Sequence, residues 1–210
     1  MVSQPRALVT RDAILRGAAE VFGARGYGLA SIADIAAAAG LTKGALYFHF
    51  TSKDELAFAV IAEQHRRTMA ASAAILAEGR PALETLILLS RNLGRQLLED
   101  PVVQAGILLT TEVASAGHPI AEPYEDWFAA IEELIRQAIV EGDVAASVDP
   151  TVFAHFASPA FTGVQLVSAT LTARADLLQR VREMWIVLLP GIVAEGRLDA
   201  LRALPELILE

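Results

Sequence analysis

From Thr10 onward, apolar residues return every three or four positions: Ile14, Ala18, Val21 and Phe22 mark the first such stripe. That is the repeat of a helix burying one face. Thr10 offers a cap at its start, and Arg25-Gly26-Tyr27-Gly28 stops it. Ser31 caps a second, short helix with Ile32, Ile35, Ala36 and Ala39 inward. Gly40 then makes a tight turn, Leu41 plugs the corner, and Thr42 caps a third helix with Leu46 and Phe50 inward. Ser52-Lys53-Asp54-Glu55 has the layout of a capping box and opens a long helix reaching about Glu78, which Gly79-Arg80-Pro81 breaks. Five more helices follow, at about 81–99, 102–115, 122–141, 150–172 and 176–195, punctuated by Asp100-Pro101, Gly117-His118-Pro119, Gly142-Asp143 and Gly196. No alternating strand pattern of comparable length intervenes. The pattern predicts an all-α chain of about nine helices. A three-helix head, residues 1–53, shares its following helix with a larger helical body, residues 54–210.

Composition agrees with helix, since alanine and leucine dominate and lose little rotamer freedom there. With no cysteine, disulfides and thiolate metal sites are excluded, and a reducing cytoplasm suits the chain. Between Asp149 and Arg174 there is no formal charge, but His155, Ser158, Pro159, Thr162, Gly163, Gln165, Ser168 and Thr170 interrupt the run. It reads as a buried helix of a soluble protein, with no membrane partner. The net charge of −8 conceals a division. Residues 1–53 carry six Lys/Arg against three Asp/Glu, and the remainder 11 against 22. A basic head on an acidic body directs one end toward nucleic acid.

Residues 31–50 have the organisation of a helix-turn-helix DNA reader, whose second helix enters the major groove by its N-terminal end. Lys43, in the first turn, can reach a guanine edge or a phosphate. Gly44 permits close backbone approach, and Ala45 can pack on a thymine methyl. Thr42, Tyr47, His49 and Lys53 suit phosphate contacts, and Phe48 either packs or joins them. The amides at Ser31 and Ile32 begin a helix and can receive another phosphate. Arg6, in a polar arm, is a candidate for the neighbouring minor groove. One such head makes few base contacts, so specific binding to a palindromic operator requires a homodimer. The uncharged helix 150–172 and the helix 176–195 are the candidates for its interface, because their apolar residues extend too far around the surface for a solvated helix.

Taken together, the capped first helix, Thr-Lys-Gly-Ala-Leu-Tyr-Phe-His-Phe at 42–50 and Ser-Lys-Asp-Glu-Leu at 52–56 resemble the TetR family of transcriptional repressors. Through the body, Asp100-Pro101-Val102-Val103-Gln104-Ala105-Gly106, Glu125-Asp126-Trp127, the stretch 149–155 and Glu183-Met184-Trp185 resemble the gamma-butyrolactone receptors within it. The arginine-heavy, alanine-rich usage fits the GC-rich genome that this resemblance would lead one to expect. It implies a TetR-like fold and a repressor released from double-stranded operator DNA by a small, apolar, diffusible lactone controlling antibiotic production. It also places a pocket tryptophan at Trp127, whose indole can stack on a ring and donate one hydrogen bond. Trp185 reads as core or interface. Gln64 and Thr162 are candidates to bond a lactone carbonyl, and Leu86, Ser90, Leu109, Ile131 and Phe161 are candidate walls. Pro159, inside a helix, should bend it and open room for ligand.

Other functions fit less well. The histidines His49, His65, His118 and His155 lack metal-ligand spacing, and there is no nucleophile elbow or glycine-rich phosphate loop. Neither catalytic residues, a metal nor a cofactor is expected. The serious alternative is a TetR-type multidrug- or antibiotic-sensing repressor of an efflux or biosynthesis gene, for which this body is poor in aromatics. A related receptor that binds antibiotics, or has lost its ligand, is a further alternative.

Overall fold

The computed structural model describes residues 4–115 and 120–210, with side chains from Thr10 onward. The predicted Gly117-His118-Pro119 break and the Arg6 side chain lie outside the described residues. The described chain is helical throughout: α1 Gln4–Leu29, α2 Ile32–Ala38, α3 Lys43–His49, α4 Lys53–Leu76, α5 Ala82–Glu99, α6 Pro101–Ser115, α7 Glu122–Glu141, α8 Pro150–Thr172, α9 Leu177–Ile192 and α10 Leu198–Leu201, then a 3₁₀ turn, Leu204–Ile208. Among the described residues the one extended pairing is an isolated bridge between Val144 and Val193.

Two expected boundaries move. Helix α1 begins at Gln4, ahead of the expected Thr10 cap. Pro5 falls in its first turn, where a missing amide removes no helical hydrogen bond. The stop at 25–28 is a kink at Gly26, φ 72 and ψ 168, after which one more turn runs to Leu29. The capping box is also displaced by one residue. Ser52 Oγ accepts the Glu55 amide at 3.0 Å, but the Glu55 carboxylate accepts from the Thr51 amide at 2.7 Å and the Thr51 hydroxyl at 2.8 Å. The elements after Glu195, α10 and the 3₁₀ turn, are not foreseen by the sequence pattern. Pro159 lies within a single continuous α8.

Backbone proximity divides the chain into two compact units, residues 1–69 with 96–120 and residues 70–95 with 121–210. In the first, α1 packs on α2 and α6, and α2 on α3. Its core contains Ile14, Ala18, Phe22, Ile35, Leu46, Leu56, Val60, Leu109 and Val113. Gly40 is at φ +67, the left-handed value the α2–α3 turn needs and glycine adopts without strain. Gly106 serves another purpose: a Cβ there would lie 2.3 Å from Gln64 Cβ, so a glycine lets α6 approach α4.

In the second unit α7 packs on α8, α8 on α9, and α9 on the 3₁₀ turn. Leu83, Ile87, Ile135, Ala138, Ala154, Leu177, Val181, Trp185 and Ile208 are buried in it. Asp149 caps α8 by accepting the Thr151 and Val152 amides at 2.9 and 3.1 Å. Along α8 and α9, however, Val152, Phe156, Leu166, Val167, Leu171, Ile186 and Val187 are exposed.

Candidate functional site

Thr42 and Leu46 set the presentation of α3. Thr42 is extended, φ −78 and ψ 152, and its hydroxyl accepts the Ala45 amide at 3.2 Å. Leu46 is the one buried residue within α3, and Phe50 is buried just after it. With that face anchored, Thr42, Lys43, Gly44, Tyr47 and Phe48 are exposed, and Ala45 and His49 half-buried. The Lys43 ammonium lies 5.8 Å from the Tyr47 ring centroid. Phe48 is 87% exposed and meets the His49 ring edge-on, with centroids 5.6 Å apart. A cation, a phenol and a hydroxyl thus share one short, rigidly capped helix. That donor set suits phosphates and base edges.

Two expected phosphate contacts look different in three dimensions. The Lys53 ammonium faces inward, donating to the carbonyls of Tyr27 at 2.8 Å, Ala30 at 3.3 Å and Gly28 at 3.4 Å. It also lies 4.4 Å from the Tyr27 ring centroid. It closes the end of α1, and a phosphate bond would require it to abandon those acceptors. The Ser31 hydroxyl accepts the Asp34 amide at 3.2 Å and donates to the Asp34 carboxylate at 2.6 Å. That bond, with Arg25 at 2.8 Å, holds the Asp34 carboxyl below its usual range. A phosphate at α2 would meet this carboxylate.

Sequence reasoning missed the group around Tyr27. Its hydroxyl donates to Asp54, and burial, followed by that bond, pushes the phenol up to about 12. Its amide donates to Glu112 of α6 at 2.6 Å. Tyr27 therefore ties the α1 kink to both α4 and α6. No local pattern signals this, because the partners lie 27 and 85 residues away.

Of the expected ligand residues, Gln64 and Leu109 lie in the interior of the first unit, both 0% exposed. Gln64 Nε2 donates to the Thr68 hydroxyl at 3.1 Å, which donates to Gln96 Oε1 at 3.0 Å. One turn away, Arg67 bonds Glu63 at 2.8 Å and Asp100 at 2.9 Å and reaches Asp12 of α1 at 3.7 Å.

The other six belong to the second unit. Trp127 is half-buried on α7, edge-on to Tyr124 with centroids 5.3 Å apart. Tyr124 in turn approaches Phe128, and Phe128 meets His155 of α8 edge-on at 5.0 Å. This four-ring group was missed too, although Tyr124, Trp127 and Phe128 have the three- and four-residue spacing of one helix face. Ile131 follows Trp127 by one turn and is half-buried, as is Phe161 on α8. Leu86 is buried on α5, and its carbonyl accepts the Ser90 hydroxyl at 3.1 Å. The Thr162 hydroxyl likewise donates to its own helix, at Ser158 O, 3.1 Å. Its proton is therefore engaged, and toward a ligand it offers an acceptor, not the donor a carbonyl needs. A cavity of about 460 Å³ in this unit is lined by Leu76, Gly79, Arg80, Pro81, Thr85, Leu134, Gln137, Glu141, Asp143 and Arg197, none of them an expected ligand residue. Its arginines are already paired, Arg80 with Glu78 and Glu84, and Arg197 with Asp143. Among the described residues there is no cluster suited to a metal ion and no helix long and apolar enough to cross a membrane.

Comparison with known proteins agrees in both halves. The pattern of bacterial regulatory proteins of the tetR family matches residues 14–60, and the tetracycline repressor-like C-terminal domain matches residues 80–194. The A-factor receptor protein of Streptomyces griseus is 36% identical over 208 residues, covering 95% of this chain and 72% of the relative. The BepR repressor of Brucella suis is 41% identical over 59 residues only, 28% of each chain. Among solved structures, CprB of Streptomyces coelicolor in complex with its biological operator sequence superposes with TM-score 0.84 at 32% identity, covering 98% of this chain and 99% of that one. A gamma-butyrolactone receptor described as ArpA-like gives TM-score 0.80 at 30% identity, covering 97% and 98%. With both halves matched and a relative aligned nearly end to end, the chain belongs to the TetR family of bacterial transcriptional regulators.

Proposed function

We propose that this regulator binds a palindromic DNA operator as a homodimer, represses transcription there, and is released by a small diffusible signal of the gamma-butyrolactone type. The observation that carries the DNA reading is α3, which buries Leu46 alone and turns Thr42, Lys43, Tyr47 and Phe48 outward. The lactone reading is supported by the likeness to the A-factor receptor and to gamma-butyrolactone receptor structures through the body as well as the head. In this reading residues 1–53 are the DNA-reading domain and residues 54–210 the sensing and dimerising domain. Lys43, Gly44, Ala45 and Tyr47 meet the major groove and its phosphates, assisted by Thr42, Phe48, His49 and Ser31, with Arg6 in the adjoining minor groove. Lys53 contributes only if it leaves the end of α1.

Within the second unit ligand recognition falls to Trp127, with Ile131, Phe161, Thr162, Leu86 and Ser90; Gln64 and Leu109 are the candidates within the first. The exposed aliphatic stripe of α8 and α9 is the dimer interface. The protein is a cytoplasmic regulator, not an enzyme, and works without a cofactor. Ligand acts by favouring one of two pre-existing conformations, and operator DNA weakens ligand binding by the same factor. Mobility-shift titration on DNA upstream of candidate target genes, with acyl-γ-butyrolactones added, tests both halves. Expected is a discrete protein–DNA complex that dissolves as lactone rises. Unchanged occupancy at saturating lactone removes the lactone reading and leaves the repressor one.

A further inference from the structure

Gln64 belongs to α4 and is 0% exposed. Its amide, the Thr68 hydroxyl and the Gln96 amide form a three-member chain with links of 3.1 and 3.0 Å. The two outer atoms, Gln64 Oε1 and Gln96 Nε2, are shut away from solvent without a hydrogen-bond partner. Turning both amides over reverses the chain, so that Gln96 donates to Thr68 and Thr68 to Gln64. The inventory is then the same, one unmatched donor and one unmatched acceptor, so it does not depend on how the amide atoms are assigned. An unmatched buried polar group costs about 1–3 kcal/mol, and aliphatic side chains of similar size avoid that cost. A purely structural role leaves these two ends unexplained.

The surrounding charges narrow what can match them. Arg67, the nearest cation along α4, already engages Glu63, Asp100 and Asp12, and Glu63 is held by Arg66 as well. From these α4 groups a carboxylate entering here gains no uncommitted cation, and an ammonium no uncommitted acid. Burying either charge without a partner is far costlier than burying a neutral dipole.

We propose that the Gln64–Thr68–Gln96 chain recognises a neutral ligand bearing one hydrogen-bond donor and one acceptor, a hydroxylated carbonyl compound that completes the chain at both ends. The proposal rests on the small-ligand repressor reading and adds Thr68 and Gln96 as recognition residues within it. Ligand capture here is transmitted directly, because Gln64 Cβ lies against Gly106 of α6, and α6 holds the Tyr27 amide through Glu112.

The test pairs ligand and protein deletions. The probes are an α-acyl-γ-butyrolactone bearing a hydroxyl group and the same lactone without it. Each is titrated against operator complexes of the wild type, Thr68→Val and Gln96→Met, with ligand-free operator binding as the folding control. In the wild type, deleting the ligand hydroxyl is expected to raise the releasing concentration about tenfold, the worth of one hydrogen bond. In either variant the same deletion changes it less than about threefold, since the chain that matched the hydroxyl is broken. Equal sensitivity to the hydroxyl in wild type and variants overturns the proposal while leaving the lactone reading intact. Indifference of the wild type to both lactones overturns the lactone reading, and this proposal with it.

Discussion

Helix α3 and the α8–α9 pair both expose apolar surface, but of opposite kinds. On α3 the exposed large apolar residues are the aromatics Tyr47 and Phe48, beside an exposed lysine. On α8 and α9 they are mostly aliphatic, and on α8 Val152 and Phe156, like Val167 and Leu171, are four residues apart. A charged duplex rewards a surface of donors and cations, whereas a second protein surface rewards one that sheds water. Exposure alone is common to both surfaces, and the chemistry of each is what distinguishes the partner it suits.

The sharpest way to break this contrast is to place charge on the aliphatic stripe. Leu171→Glu with Val187→Glu is expected to leave a folded monomer and to lower operator affinity more than about a hundredfold, because one half-site alone binds weakly. Sedimentation together with mobility shift decides it, and a dimer that survives both glutamates refutes the interface assignment. Next in size, Lys43→Ala should weaken operator binding about tenfold or more with thermal stability unchanged, since its side chain is exposed. Leu46→Ala should instead cost about 2–5 kcal/mol of stability, because it empties the anchor of the same helix. Should the two variants behave alike in thermal melts, α3 is not the exposed reader described above.

A residue of neither region separates sensing from DNA reading. Trp127→Ala is expected to bind operator normally and to resist release by lactone, and full inducibility would exclude Trp127 from ligand contact. The smallest effect concerns acid. Hydrogen bonds from Arg66 and then Arg67 hold the Glu63 carboxyl down to about 2, below its unfolded value of 4.5. Its contribution is therefore present above about pH 4.5 and fades as pH falls toward 2. Urea midpoints at about pH 6 and pH 3 should differ less in Glu63→Gln than in the wild type, and equal differences count against the network.

Much of the first unit was legible because its instructions are short-range. Ser31 and Thr42 cap helices through amides three residues ahead, Gly40 supplies a positive φ within its own turn, and Leu46 follows the helical period. The candidate ligand residues were harder to read: Gln64 could be nominated by type and Trp127 by resemblance, but not their surroundings. Thr68 and Gln96 are 28 residues apart, and Phe128 meets His155 across two helices.

By itself the sequence determined the helical elements through α9, the Ser31 and Thr42 caps, the basic head and the uncharged helix 150–172, since hydrogen bonds and hydrophobic periodicity act within a few turns. Only the tertiary structure decided that Lys53 faces inward, that Tyr27 ties three helices together, and that two amides share one hydroxyl beside Gly106. Those outcomes depend on how closely distant segments approach, a distance that no local pattern encodes.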